Sequence, residues 1–560
     1  MRRACARLRA LPLFLAAAAG WMLAAGPVLA VDLTLGNNQN QTEPVTITEN
    51  STIQTQTGGT ESAIQSGAVT FSSPFILTLR PVDSGDQLAV TGVISGGGSL
   101  NIAGAGTTIL SGNNTFTGGV TVTGTGKVRA VSSNAFGTGT VTIDNSTAVL
   151  EFGDSVEIAN AFVLNTNSTF STLTFNTEEA LLNGTVALGS NTLSLVAVGP
   201  SDVLSLTGVI SGTGALTVSG TGIVSLSGAN TFSGGITITE GTSLGADSSG
   251  AFGTGTVTIN HADAILGFNV GVNVANNVVL LTNAEFTKIG NIGGTGQLSG
   301  NVNLNANVLS LTAINPSERL LLSGVISGTG SVTVDGAGTV ILSGANTYTG
   351  GTTVESGGNL QMNGSIVGQT AVNSLGTLSG TGTAGSVTVD GRIAPGLNGG
   401  TSIGTLSTTG NVTFNSGSSL AVNLAPDGSS DLLNVGGTTS INSGATINAT
   451  LALTSFTVGQ TYTVLDSTGA ISGSFGSVVS NFNFLGLTII QAGSTIQVQI
   501  ASINALATVT DATSLAGAVS AANAAASGSA VLFAPASIVN LTANAPAYNL
   551  GANDSLFILG

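Results

Sequence analysis

Histidine and cysteine are almost missing from this sequence and charge of either sign is scarce: 560 residues hold one His, one Cys and only 6% Asp, Glu, Lys and Arg. Each shortage removes a class of chemistry. His261 and Cys5 alone cannot supply a Cys/His set for zinc, and no D-x-D-x-D-G loop or GGxGxD nonapeptide is present for calcium. Neither a metal nor another cofactor is expected. Ten Lys and Arg residues stand against 26 Asp and Glu, a formal net charge of −16. So few cations cannot form the basic stripe that nucleic acid requires, which excludes nucleic acid as a partner.

Residues 1–30 read as a secretory signal peptide. Arg2, Arg3, Arg7 and Arg9 precede an apolar stretch from Leu11 to about Ala25, and Val28-Leu29-Ala30 supplies small residues for cleavage. The mature chain is expected to begin at Val31. Its cations are then Arg80, Lys127, Arg129, Lys288, Arg319 and Arg392, and with Cys5 removed it can form no disulfide.

What the chain has in abundance is glycine, 81 residues, beside a hydrophobic fraction of 42%. Disorder does not fit, because β-branched and apolar residues alternate with polar ones, as in Leu216-Thr217-Val218 and Val332-Thr333-Val334. Three blocks align without a gap: TGVISGGGSLNIAGAGTTILSGNNTFTGGVTVTG from Thr91, TGVISGTGALTVSGTGIVSLSGANTFSGGITITE from Thr207, and SGVISGTGSVTVDGAGTVILSGANTYTGGTTVES from Ser323. Their starts lie 116 residues apart, twice. AFGTGTVTI begins at Ala135 and again at Ala251, so the register extends beyond the blocks.

Short apolar runs broken by Gly, Asn and Ser-Gly every ~8–12 residues predict short strands joined by tight turns. A sandwich closed within each unit and a solenoid running through successive units both fit that spacing. The low charge favours the solenoid. Coils stacked in register set each side chain ~4.8 Å from its counterpart, where like charges repel and Thr, Asn or Val form ladders. Coils of ~20–23 residues would give about five or six per unit and a rod on the order of 100 Å.

The string LSGANTYTGGTTVESGGNLQ from Leu342 to Gln361, with the copies LSGNNTFTGGVTV and LSGANTFSGGITI, resembles the passenger-associated transport repeat of autotransporter passengers. Gly391-Arg392-Ile393-Ala394-Pro395-Gly396, IGTLSTTGNVTFNSGSSLAVNL, Ser430-Asp431-Leu432-Leu433 and YTVLDSTGAISGSF resemble the C-terminal part of such passengers. The resemblance covers roughly Leu33 to Ile500. It implies an all-β chain folded as a right-handed parallel β-helix, exported to the surface of a Gram-negative cell through an outer-membrane β-barrel. With no catalytic residue to name, the expected role is structural or adhesive, with a surface glycan or host-matrix ligand; a passenger hydrolase acting on polysaccharide or ester is the alternative. No barrel is legible in these 560 residues, and the translocator is expected downstream.

The expected organisation is therefore a signal peptide at 1–30, nearly three repeats over 31–362, further β-helix over 363–500, an Ala-rich helical connector at 501–527 and the start of a second β-helical segment at 528–560. The helix is read from Leu515, Ala518, Val519 and Ala522. A cap helix leading into strands resembles the opening of pectate-lyase-like β-helices in architecture, not in lyase chemistry.

Candidate chemistry is thin. Gly241-Thr242-Ser243-Leu244-Gly245 matches a nucleophile elbow, but Ser243 aligns with Lys127 and Asn359 as an outward turn position beside an inward Leu244. His261 follows a strand, aligns with Asn145, and reads as a solvated turn residue. Gly153-Asp154-Ser155 resembles the opening of GDSL-type esterases, yet its register-mates, Asn269-Val270-Gly271, lack the serine. Gly380-Thr381-Gly382-Thr383-Ala384-Gly385 matches a dinucleotide fingerprint as text, with a strand where a helix should follow. Glu178-Glu179 and Asp427/Asp431 could serve a glycosidase, though solvated turns are the plainer reading. Phe116, Phe232 and Tyr348, like Phe136 and Phe252, recur in register and are expected in the core. No catalytic, cofactor-binding or metal-binding residue is assigned.

Overall fold

The computed structural model describes residues 28–173, 179–288, 293–396, 402–451, 457–482 and 485–503, together with the strands Ala507–Thr508, Ala530–Phe533 and Leu556–Leu559. The expected Ala-rich helix at 501–527 lies largely outside the described residues. The described chain is all-β, with parallel strands stacked as a solenoid of about 18 turns distributed over two units. One unit comprises residues 1–290 with 298–300; the other comprises 291–297 and 301–560.

In the first unit, apart from the longer strands Val28–Leu35 and Val45–Thr55, strands of two to five residues place apolar side chains inward and polar ones outward. Val120-Thr121-Val122 and Val141-Thr142-Ile143 are each buried, half-buried, buried. β-branched residues suit these positions because they fill a pleated surface with little loss of rotamer freedom. Pairing carries the pattern from coil to coil: Leu77, Leu100, Val120, Val141 and Phe162 occupy one inward column, and each is buried. Its outward neighbour column is Thr52, Thr78, Asn101, Thr121 and Thr142. Coils here run from 20 residues, Thr107 to Lys127, to 26, Ser51 to Leu77.

The 116-residue repeat does not equal a whole number of turns. From Thr107–Leu110 the same sheet is climbed through Lys127–Ala130, Val149–Phe152, Ser168–Thr172 and Leu193–Ala197 to Leu216–Gly220, five coils on. The counterpart of Thr107–Leu110 is Ile223–Leu226, which follows Leu216–Gly220 and pairs instead with Val203–Leu206 in the neighbouring sheet. The sequence repeat thus advances five turns plus one of three faces, an axial rise of ~26 Å at ~4.8 Å per coil.

In the second unit coils shrink to 15 residues, Thr377 to Arg392, and lengthen to 32, Thr439 to Ile471. The outward column Thr333, Thr353, Ala371, Thr388, Thr413, Ser440 and Ser472 follows one sheet. Beside it amides alternate with acids: Asn373 donates to Glu355 at 2.9 Å, Asn415 to Asp390 at 2.9 Å, and Asn442 to Asn415 at 3.0 Å. This spacing separates like charges while satisfying the side chains.

Parallel stacking gives way near residue 461. Thr461–Ser467 pairs in parallel with Leu432–Val435 and antiparallel with Thr495–Ile503, which in turn pairs antiparallel with Leu485–Ala492. Beyond this hairpin, Ala507–Thr508, Ala530–Phe533 and Leu556–Leu559 form a separate parallel sheet.

Candidate functional site

The candidate serine nucleophile is incorporated into the sheet. Ser243 opens the strand Ser243–Ala246, pairs with Ile223 and Ile265, and its N–H donates to Gly222 at 3.0 Å. It is therefore a strand residue rather than the turn residue expected, and Gly245 is fixed by the same ladder. No strained elbow is formed. His261 sits in a partly exposed turn, where its Nδ1 accepts the Asp263 backbone N–H at 3.3 Å. Asp263 Oδ2 is 4.0 Å from that nitrogen. In a Ser-His-Asp triad, Nδ1 must instead donate to the carboxylate, so this arrangement runs the opposite way.

Ser155 lies in an exposed turn with φ 52°. It lines a shallow hollow of about 440 Å³ with Val156, Glu157, Glu179 and Leu181. Glu178 lies outside the described residues; Glu179 is exposed at the start of Glu179–Leu182. Gly380 ends the strand Thr377–Gly380, and Thr383–Ala384 and Val387–Val389 follow it, so no helix N-terminus faces the glycines. Phe116, Phe136, Phe232, Phe252 and Tyr348 are all fully buried, in the core as expected.

Asp431 departs from the reading as a solvated turn residue. It is 1% exposed, its Oδ1 accepts the Gly404 N–H at 2.8 Å, and its Oδ2 accepts the Asn423 N–H and Nδ2–H, both at 2.8 Å. Burial pushes its carboxyl above the ordinary range, against the pull of those donors. Asp427, by contrast, is exposed and lowered, chiefly by the Ser429 hydroxyl and N–H. Opposed shifts on two carboxyls resemble an acid and base pair. Here both oxygens of Asp431 are occupied by the chain's own N–H groups, which makes it a structural clamp.

Sequence reasoning missed the polar residues that join coils. Asn114 accepts the Ile94 N–H at 2.8 Å and donates to Ala135 O at 2.7 Å; Asn230 repeats this with Ile210 at 2.7 Å and Ala251 at 2.6 Å. Both are buried. Asn160 and Asn276 act likewise, donating to Gly139 O and Gly255 O, each at 2.7 Å. A second set is acidic. Asp86 accepts from the Thr55 hydroxyl and from the N–H groups of Glu61 and Asp83, and Asp202 from Thr172 at 2.7 Å and Gly199 at 2.9 Å. The signal was present in the sequence: an acid held at one register position of a chain that otherwise avoids charge.

Two of the cations form a local cluster. Lys127 Nζ and Arg129 Nε each lie 2.5 Å from an oxygen of Glu151 on the adjacent coil. A polar groove of about 450 Å³ includes Thr52, Thr78, Asn101, Thr121 and Thr123. Among the described residues no group of three or more His, Cys, Asp or Glu could hold a metal, and no helix is long and apolar enough to cross a membrane, which says nothing of β-barrels.

A family model described as the passenger-associated-transport-repeat matches residues 103–124, 211–242 and 332–362. The chain is 32% identical over 132 residues to the adhesin BmaC autotransporter of Brucella suis, covering 24% of this chain and 3% of that protein. It is 32% identical over 209 residues to an extracellular serine protease of Serratia marcescens, covering 35% of this chain and 19% of that protein. The matches span a small part of either relative. Fold and repeats together define a parallel β-solenoid that contains passenger-associated transport repeats. The chain carries three passenger-associated transport repeats and, over part of its length, is similar to an autotransporter adhesin.

Proposed function

We propose that this segment works as an exported, cell-surface structural and adhesive β-solenoid, with a glycan or host-matrix ligand bound along its outward ladders. The observation that carries the reading is the outer face: stacked Thr, Ser and Asn columns at ~4.8 Å intervals offer repeated hydroxyl and amide groups. The backbone of the candidate nucleophile, meanwhile, is part of a sheet ladder, and the candidate base accepts rather than donates at Nδ1. The adhesin among the relatives supports the same reading. Export would use the signal at residues 1–30, and the partner would be an outer-membrane β-barrel translocator, as the autotransporter relative suggests. The rival hydrolase has no side-chain constellation to rest on among the described residues.

The test is a parallel screen of the purified chain on immobilised matrix proteins and glycans and on ester and polysaccharide substrates. Saturable binding without turnover is the expected result, unchanged by Ser243→Ala or His261→Ala. Turnover abolished by either substitution, with folding intact, would replace this proposal by the hydrolase.

A further inference from the structure

We propose that Lys127 and Arg129 form the contact point for an anionic group, a carboxylate or sulfate ester, carried on a glycan. The inference rests on the adhesive reading and narrows it to a charge class. Arg129 and Glu151 are register partners on Lys127–Ala130 and Val149–Phe152, and Lys127 reaches the same carboxylate. The Glu151 side chain is 8% exposed, whereas Lys127 is 50% and Arg129 33% exposed. Two cations on one carboxylate leave a net local charge of about +1 on a chain of formal charge −16. Arg129 spends only its Nε on Glu151, so its planar pair of Nη groups has no protein partner among the described residues. Lys127 spends one of its three N–H donors.

The cluster breaks the repeat. One repeat on, Lys127, Arg129 and Glu151 become Ser243, Gly245 and Gly267, and Gly245 pairs with Gly267 as Arg129 does with Glu151. The coil therefore closes on small residues, and the charges are not needed to build it. Both cations stand on a paired sheet with one donor each anchored, so little side-chain freedom is lost when an anion binds. Thr107 stands one coil from Lys127, while Thr169 flanks the neighbouring Val149. Their hydroxyls suit a sugar beside the acid group.

The test compares the purified 560-residue chain on heparin, polygalacturonate and neutral dextran at low salt and at about 0.15 M salt. Heparin and polygalacturonate separate sulfate from carboxylate recognition. Binding to at least one polyanion, weakened by salt, is expected. The combined variant Lys127→Ser, Arg129→Gly, Glu151→Gly, which adopts the second repeat's residues, should retain its circular dichroism and bind about tenfold more weakly. Lys127→Ala, which keeps the Arg129–Glu151 pair, should lose several-fold and guards against misfolding of the combined variant. Wild-type affinity in both variants overturns the inference, as does binding to anionic lipid vesicles but to neither polyanion. If the protein binds dextran or matrix protein but no polyanion, the inference falls and adhesion stands; if it binds nothing, both fall.

Discussion

Single polar side chains hold adjacent coils together, and their removal is costly because the groups left behind are buried. Asn114→Ala strips partners from the Ile94 N–H and the Ala135 carbonyl. At ~1–3 kcal/mol for each buried group left unpaired, a loss of about 2–5 kcal/mol is expected in denaturant titration. The exposed neighbour Asn113 should be tolerant of Ala. Glycine differs from site to site for a steric reason. A Cβ on Gly126 would fall 1.8 Å from Gly106 O, in backbone that cannot yield, whereas one on Gly97 would meet nothing within 4 Å. Gly126→Ala should therefore destabilise by ~1–3 kcal/mol or more, and Gly97→Ala should leave the melting temperature nearly unchanged.

Charge at the residue scale adds pH dependence. Burial raises the Asp86 carboxyl, but hydrogen bonds from Thr55, Asp83, Glu61 and Val82 together outweigh it and set the group below its ordinary value. A depressed folded pKa contributes stability that is present above the unfolded pKa of ~3.9 and lost as pH falls through the folded value. The melting temperature should accordingly drop below about pH 4, and Asp86→Asn should flatten that limb. Asp431 has the opposite sign: its raised folded pKa favours the fold below its unfolded value, an advantage lost as pH rises through the folded one.

Among the described strands, the hairpin of Leu485–Ala492 and Thr495–Ile503 is where ladder pairing turns antiparallel. Leu485–Ala492 is the last strand of its sheet, eight residues long, without charge or proline, and partly exposed. Such an edge invites pairing between molecules, which a charge opposes. Thr488→Lys, at an exposed position, should lower concentration-dependent association in light scattering without shifting the thermal midpoint. Alternation had made the short strands legible, since inward Val, Leu and Phe recur at every second residue. It could not reveal the antiparallel turn-back, because YTVLDS and LGLTIIQA carry the same period whichever direction their partners run.

For the whole molecule, export is the first matter to test. The strand Val28–Leu35 pairs in two parts, Val28–Ala30 with Val45–Ile47 and Asp32–Leu35 with Thr52–Thr55. Cleavage after Ala30 would remove the first part and keep the second, which includes the Thr52 N–H bond to Asp32 at 3.1 Å. Mass spectrometry of protein recovered from the periplasm of a Gram-negative host should find Val31 at the N-terminus; retention of residues 1–30 in the exported product would refute the signal-peptide reading.

The sequence by itself determined that the chain is a repeat-built solenoid, because stacking at ~4.8 Å leaves its mark on composition: little charge, abundant Thr and Asn, and apolar residues every second position. It determined the repeat length and the inward aromatics for the same reason. Tertiary structure alone decided that 116 residues make five turns plus one face, since the coil lengths that set this remainder depend on corner loops whose Gly, Ser and Asn residues look alike in text. It also decided the fate of the acids. Asp427 and Asp431 are four residues apart in sequence, yet one lies in water and the other in a cage of N–H donors drawn from residues 404 and 423. Desolvation and hydrogen bonding act through neighbours in space, and those neighbours come from coils that the linear order keeps apart.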